Sequence, residues 1–343
     1  MKILFLDYMS LNGHKNFNKI HIRALLEEGC ELDLVGKNGQ FDGIVATPKL
    51  RIYSIPPFLT KKYSLPSLTC RIEWILILIW SIFKFPQRKY DLVILPTYDM
   101  VSTIFYRISK RVVCVVHDAT YLDKNINRIA ANILPKNFCF IGLNEEIKDR
   151  ISEKVIHHKI YQIPHGLITP SVDYKKPAYL EPETRFFFCP INSFINYKLT
   201  SDVFSSQKLF DFLEDTNSFV VVKKGVVTAS NCHRIIIIDN RPENEEYDYL
   251  MQNAKAVILP YATSFRYRCS GIFFECVARN TPVIASDIGS LRVYQNDTDT
   301  KYFSDLCGLI NAMASYLEVK NGTSDISKFD PREGWNNVIN SVI

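Results

Sequence analysis

The chain has 343 residues, 47% of them hydrophobic and 22% charged. This composition excludes a disordered, fibrous or low-complexity chain, and at about 150 residues per domain it predicts two domains, each able to bury a core. The net charge of +5 is unevenly spread: residues 1–170 carry 23 Lys and Arg against 15 Asp and Glu, a net +8, and the remainder carries −3. A basic first half suits an anionic substrate or a membrane surface.

The chain opens with an expected strand, Lys2–Leu6. Its apolar run is four residues long and ends at Asp7, so no signal peptide is expected. A polar turn, a helix from Phe17 to Glu28, Gly29 as its stop and a strand at Leu32–Val35 follow. Strand, Gly-containing turn, helix and strand open a parallel α/β domain. Residues 41–70 are Pro-rich and read as a long excursion.

Trp74–Phe83 (WILILIWSIF) is too short an apolar run to span a bilayer. Lys61, Lys62 and Arg71 precede it, and Lys84, Arg88 and Lys89 follow. Two readings stay open: a buried helix, or a helix whose apolar side dips into anionic lipid. Next come a strand at Leu92–Leu95, a helix near Ser102–Ser109 and a strand at Val112–Val116 ending in His117-Asp118. A strand at Cys139–Gly142, a helix at Asn144–Lys154 and a strand at Lys159–Ile163 complete the unit.

Pro170, Pro177 and Pro182 mark residues 167–184 as a linker between domains 1–166 and 185–325. The second domain reads as strands at Arg185–Cys189, Phe219–Val222, Ile235–Ile238, Ala256–Leu259 and Pro282–Ala285. Its expected helices are Val203–Leu213, Tyr247–Asn253, Gly271–Ala278 and Asp305–Val319. Near-continuous apolar strands imply parallel sheets covered on both faces. Residues 326–343 read as a terminal helix, expected to pack back on the first domain, with Gly334 a weak point in it. Two Rossmann-like domains in tandem are expected to face a central cleft. The nine cysteines form no CxxC pair and several lie in apolar runs, which suits a reducing cytoplasm and no metal site.

The chemistry concentrates in Tyr261–Leu291. Backbone N–H groups of Ser270, Gly271 and Ile272 fall at an expected helix N-terminus, a natural site for a diphosphate oxygen. Glu275 lies one turn further on the same face. It is either a satisfied structural carboxylate or an acceptor for the hydroxyls of a sugar or ribose.

With Pro260-Tyr261, Glu275 and Pro282-Val283-Ile284, this segment resembles the donor signature of retaining glycosyltransferases of the GT-B fold, in the large family 4. The resemblance implies a nucleotide-diphosphate sugar as donor, no required cofactor or metal, and Glu275 on the ribose. The family's first glutamate is absent; its place falls on Tyr267, flanked by Arg266 and Arg268, which could face the diphosphate. Of the family's Arg/Lys pair, only Lys198 is present, near the second position. Gly13, in the loop after the first strand, would allow close approach to the donor phosphate and acceptor. His117 matches a histidine near the anomeric centre. Ile163-Pro164-His165-Gly166 resembles the family's hinge segment, with His165 as structure rather than chemistry. Asp297-Thr298-Asp299 reads as a surface loop, not a metal-binding acidic pair.

The leading expectation is sugar transfer to a glycan acceptor, lipid-linked at the inner face of the cell membrane in capsule, lipopolysaccharide or other surface-polysaccharide synthesis, with a soluble acceptor as the open alternative. His117, Glu275 and Lys198 would be its catalytic residues. The alternatives are a GT-B-like UDP-sugar 2-epimerase and a non-catalytic subunit that binds nucleotide or glycan. No GxGxxG follows either first strand, which speaks against a dehydrogenase, and no nucleic-acid partner is expected.

Overall fold

The computed structural model describes residues 1–9, 14–60, 68–170, 173–181, 183–191, 203–224, 230–238, 244–318 and 324–341. The chain divides into two compact units: Met1–Gly166 with Tyr267–Cys269 and Phe329–Ile343, and Leu167–Arg266 with Ser270–Lys328.

In the first unit, β1 (Lys2–Asp7) leads through α1 (Lys15–Glu27) to β2 (Glu31–Gly36) and β3 (Leu50–Ser54). Gly29, at φ 78°, supplies the left-handed turn that stops α1. α2 (Leu68–Lys84) then leads to β4 (Leu92–Leu95). The remaining elements are α3 (Met100–Thr103), β5 (Arg111–Val116), α4 (Asn125–Ile133), β6 (Phe138–Gly142), α5 (Glu145–Lys154) and β7 (Lys159–Gln162). The seven strands pair in the order β3-β2-β1-β4-β5-β6-β7, all parallel. β1, β4, β5 and β6 are buried almost throughout, as the continuous apolar runs predicted.

The differences from expectation have local causes. α3 stops at Thr103 because Ser102 and Thr103 turn their hydroxyls back onto Asp99 O, at 3.1 and 2.7 Å. β3 lies inside the Pro-rich excursion; it is an edge strand with mostly exposed side chains, so it lacks a buried-strand pattern. α4, absent from the sequence expectation, turns its isoleucines outward, so its apolar residues do not mark a buried face. Of α2, Ile77 and Leu78 are fully buried while Ile72 and Phe83 are exposed, so the helix packs one side into the core and turns another outward. Among the described residues, no helix is long and apolar enough to cross a membrane.

The second unit holds β8 (Arg185–Cys189), α6 (Gln207–Asp215), β9 (Ser218–Lys223), β10 (Ile235–Ile238) and α7 (Asn244–Asn253). After them come β11 (Val257–Leu259), α8 (Gly271–Arg279), β12 (Val283–Ser286), α9 (Gly289–Arg292), β13 (Thr300–Phe303) and α10 (Leu306–Glu318). The six strands pair in parallel in the order β10-β9-β8-β11-β12-β13. α6 begins four residues later than expected, after a turn that buries Phe204 completely. β13 was not foreseen: it is a short edge strand whose Thr-Lys-Tyr start is only partly buried.

α11 (Arg332–Asn340) belongs to the first unit and packs along α1. Its fully buried Trp335 donates its indole N–H to His21 Nδ1 at 2.9 Å. Gly334 is required by close approach: a Cβ there would lie 2.9 Å from Ile163 and 3.1 Å from Gln162 O. The glycine that weakens the helix locally is what lets it reach the sheet.

Candidate functional site

Both sheets reverse strand order beside their first strand, between β1 and β4 and between β8 and β11. In doubly wound sheets, ligands bind beyond the carboxyl ends of the strands at that switch point. The candidate residues of each unit lie at that edge.

In the second unit, β11 runs into a loop that delivers α8. Ser270 caps the helix: its backbone is extended, and its Oγ accepts the Phe273 N–H at 3.2 Å. Tyr261 Oη lies 2.9 Å from the same Oγ and holds the cap in place; Tyr261 also stacks on Phe265 at 3.9 Å. The N–H groups of Ser270, Gly271 and Ile272 take no partner among the described residues. Gly271 is exposed, and a Cβ there would meet no atom within 4 Å. The positive end of the helix dipole is therefore open to an anion. Asn280, left-handed at φ 53°, closes the other end.

Glu275 stands one turn inside α8. Its Oε2 accepts the Tyr247 hydroxyl of α7 at 2.8 Å. Burial, and then the charge of Glu275, raise the Tyr247 phenol well above its usual value, so it stays a donor. Lys223, the last residue of β9, places its ammonium 5.8 Å above the Tyr247 ring, and Phe188 of β8 meets that ring edge-on. Arg279 closes the group by pairing with Asp248 and donating to Glu275 O at 3.1 Å. One carboxylate oxygen is thus fixed by Tyr247, and the other takes no hydrogen bond among the described residues. The sequence pointed to the need for a partner, a lone Glu in an apolar helix, but not to Tyr247 or Lys223.

In the first unit, Asp7 ends β1 fully buried. It accepts hydrogen bonds from Asn18 Nδ2 at 2.6 Å, Gln40 Nε2 at 2.7 Å and Thr97 Oγ1 at 2.5 Å. Beside it lies a histidine cluster. His117, at the end of β5, donates from Nε2 to Pro96 O at 2.9 Å, which leaves Nδ1 as the acceptor of the neutral ring. Its ring centre is 4.2 Å from that of His14 and 4.6 Å from that of Phe17. Burial, then His14 and His165, push its pKa far down, so the ring is neutral. His21 receives the Trp335 N–H on Nδ1 and donates from Nε2 to His165 O at 3.0 Å. Burial lowers His21 to about 3 and His165 to about 4. His165 Nδ1 contacts Gly166 O at 3.1 Å.

Tyr267–Cys269 belongs to this same unit. The segment pairs antiparallel with the end of β5: Ala119 N–H donates to Tyr267 O, and Cys269 N–H to His117 O, both at 2.9 Å. Arg268 binds Asp118 at 2.6 Å, and the Arg150 guanidinium lies 4.8 Å over the Tyr267 ring. Tyr267 therefore holds the chain against the His117 loop, and the charge of Arg268 is paired with a carboxylate.

Of the residues singled out in the sequence, Ser270, Gly271, Ile272 and Glu275 come together at one helix terminus. His117 and Arg268 share the other cluster, and Arg266 is exposed. Gly13 and Lys198 lie outside the described residues. Asp297-Thr298-Asp299 lies in a loop, as expected, with all three residues partly exposed; Asp299 accepts the Tyr316 hydroxyl at 2.9 Å, and Asp297 pairs with Lys328. Among the described residues, no cluster of three His, Cys, Asp or Glu side chains could hold a metal.

No protein-family model matches the chain, and no curated protein sequence does. Solved structures match over nearly its whole length. A glycosyltransferase from Rickettsia africae is similar at 15% identity and a TM-score of 0.62, over 99% of this chain and 93% of that one. The E. coli trehalose-6-phosphate structure bound with UDP-2-fluoro glucose matches at 9% identity and 0.69, over 100% and 99%. A UDP-forming α,α-trehalose-phosphate synthase from Burkholderia xenovorans, in complex with glucose-6-phosphate, matches at 10% and 0.67, over 100% of both chains. At such identities the likeness speaks to architecture: the chain has the GT-B fold, two parallel-sheet α/β domains of seven and six strands.

Proposed function

We propose that this protein is a glycosyltransferase. It takes a sugar from a nucleotide diphosphate held by the second unit and passes it, with retention, to a hydroxyl of a lipid-linked glycan in surface-polysaccharide synthesis. The observation that carries the reading is the α8 terminus: three N–H groups and, one turn away, one Glu275 oxygen, none of them with a partner among the described residues. The first suits a diphosphate and the second a ribose diol. The neighbours of the same fold support it, since one is bound with UDP-2-fluoro glucose and one is named UDP-forming.

Leaving-group stabilisation is the main catalytic contribution on this reading, from the α8 amides and Lys198. His117, neutral and with Nδ1 free to accept, receives a hydroxyl of the transferred sugar or of the acceptor. The donor is held without the family's first carboxylate, since Tyr267 occupies that position under Arg150.

The test is a thermal-shift screen of UDP, GDP, ADP and CMP, followed by transfer assays with the nucleotide sugars of the base that binds. Stabilisation by one nucleoside diphosphate and acceptor-dependent release of it support the reading. If no nucleotide binds, the donor site is wrong. Turnover of the sugar with no acceptor present would favour an epimerase. The Tyr267 substitution favours one further reading, a non-catalytic binding subunit, which predicts nucleotide binding with neither transfer nor hydrolysis.

A further inference from the structure

In the first sheet the chain steps in one direction from β3 through β4, β5 and β6. Right-handed crossovers therefore put α2, α3 and α4 in one layer on one face, opposite α1. α3 contacts α2 on one side and α4 on the other. The outward side of this layer is apolar. On α2, Ile72, Leu76, Ile79 and Phe83 follow the helical repeat and are all exposed, Phe83 to 80%. On α4, Ile126, Ile129 and Ile133 do the same, each more than half exposed. Phe105, just beyond α3, is 51% exposed between them. Solvent-facing apolar stripes on two helices of one layer are not what a surface in water alone would carry.

The charges around these stripes have one sign. Lys84 ends α2, Arg88 and Lys89 follow it, and Arg107 follows Phe105; all four are exposed. Lys124 and Lys136 flank α4, Arg128 lies within it, and all three are exposed as well. The nearby carboxylates are already engaged: Glu73 with Lys37, Asp99 with Arg71, Asp123 with Arg150. Apolar stripes rimmed by unopposed cations match an anionic bilayer, with side chains entering the acyl boundary and the cations meeting headgroups.

We infer that the α2–α3–α4 layer is a membrane-docking face that binds anionic lipid, with α4 contributing as much as α2. This builds on the lipid-linked acceptor proposed above and names the surface that would bring the protein to it.

The experiment is co-sedimentation of the full chain with phosphatidylcholine vesicles, with and without phosphatidylglycerol. Binding is expected only to the anionic vesicles and should fall with added salt. Lys84→Glu, Arg88→Glu and Lys124→Glu should each lower it on the order of fivefold or more. Phe83→Asp on α2 and Ile129→Asp on α4 should each lower it about tenfold or more, with thermal unfolding unchanged, because both side chains are already exposed. Absence of wild-type binding overturns the inference, as does a full effect of Phe83→Asp with none of Ile129→Asp. A dimer in light scattering that Phe83→Asp converts to monomer would instead assign the face to a second copy. Nucleotide-induced stabilisation, measured on the same variants, is expected to stay at the wild-type value. Its absence in the wild type would strike the glycosyltransferase reading and leave the vesicle result standing.

Discussion

At the carboxyl edge of the first sheet, Asp7 binds Asn18, Gln40 and Thr97, and Trp335, His21 and His165 satisfy one another in series. At the same edge of the second sheet, Glu275 gives one oxygen to Tyr247, and its other oxygen and three N–H groups of α8 take no partner among the described residues. The first arrangement is mostly closed: Asp7, Trp335 and His21 are engaged internally, and Asn18 Oδ1 and Gln40 Oε1 are buried without a partner among the described residues, so its loss should appear in stability. The second is open, so its loss should appear in binding. Buried polar atoms are costly unless paired, whereas a helix terminus facing solvent loses little by waiting for a ligand.

The largest expected effect is on the closed side. Asp7→Ala orphans three buried donors and should destabilise the protein by about 4 kcal/mol in chemical denaturation. A loss under 1 kcal/mol would mean that Asp7 is not the hub of that edge.

Acid should act on the same cluster. His21 and His165 have folded pKa values near 3 and 4, below the unfolded value of 6.5, so the unfolded chain takes up protons first. Their contribution is complete above pH 6.5 and is lost as pH falls toward 4 and then 3, at roughly 1.4 kcal/mol per pH unit for each while it remains neutral. Trp335→Phe removes the N–H that fixes the His21 tautomer and should shrink this acid-dependent part of the stability. An unchanged pH profile in that variant would break the proposed series.

The open side is tested by Glu275→Gln. Glutamine still accepts from Tyr247 but no longer offers a carboxylate to a ribose. Nucleotide affinity should fall about tenfold or more in calorimetry, with unfolding temperature nearly unchanged. Wild-type affinity would move the nucleotide away from α8.

Smallest is Arg268→Ala. Its ion pair with Asp118 is partly exposed, so the cost should be about 1 kcal/mol or less, with nucleotide affinity unaltered. A tenfold loss of affinity would show that Arg268 serves the diphosphate rather than the His117 loop.

Continuous apolar runs such as Val112–Val116 and Phe219–Val222 could be read as parallel strands because both sheet faces are covered and no alternation is needed. The α8 start was legible for a similar reason: Ser270-Gly271 and Asn280 are local signals at a helix's two ends. Edge strands β3 and β13 were not legible, since one-sided cover leaves no strong pattern. Nor was α4, whose most apolar side faces outward and so does not mark a core.

What the amino-acid sequence determined by itself was everything set by nearest neighbours and periodicity: two parallel α/β units, most strand positions, and the helix terminus with Glu275 on it. The tertiary structure alone decided which distant groups meet. Tyr247 lies 28 residues from Glu275, and Trp335 lies 314 from His21. Tyr267–Cys269 joins the unit of His117 rather than the one its position in the chain suggests. Hydrogen bonds of this kind have no period to betray them. They form where a buried polar atom must find a partner, and only the folded chain specifies which partner is within reach.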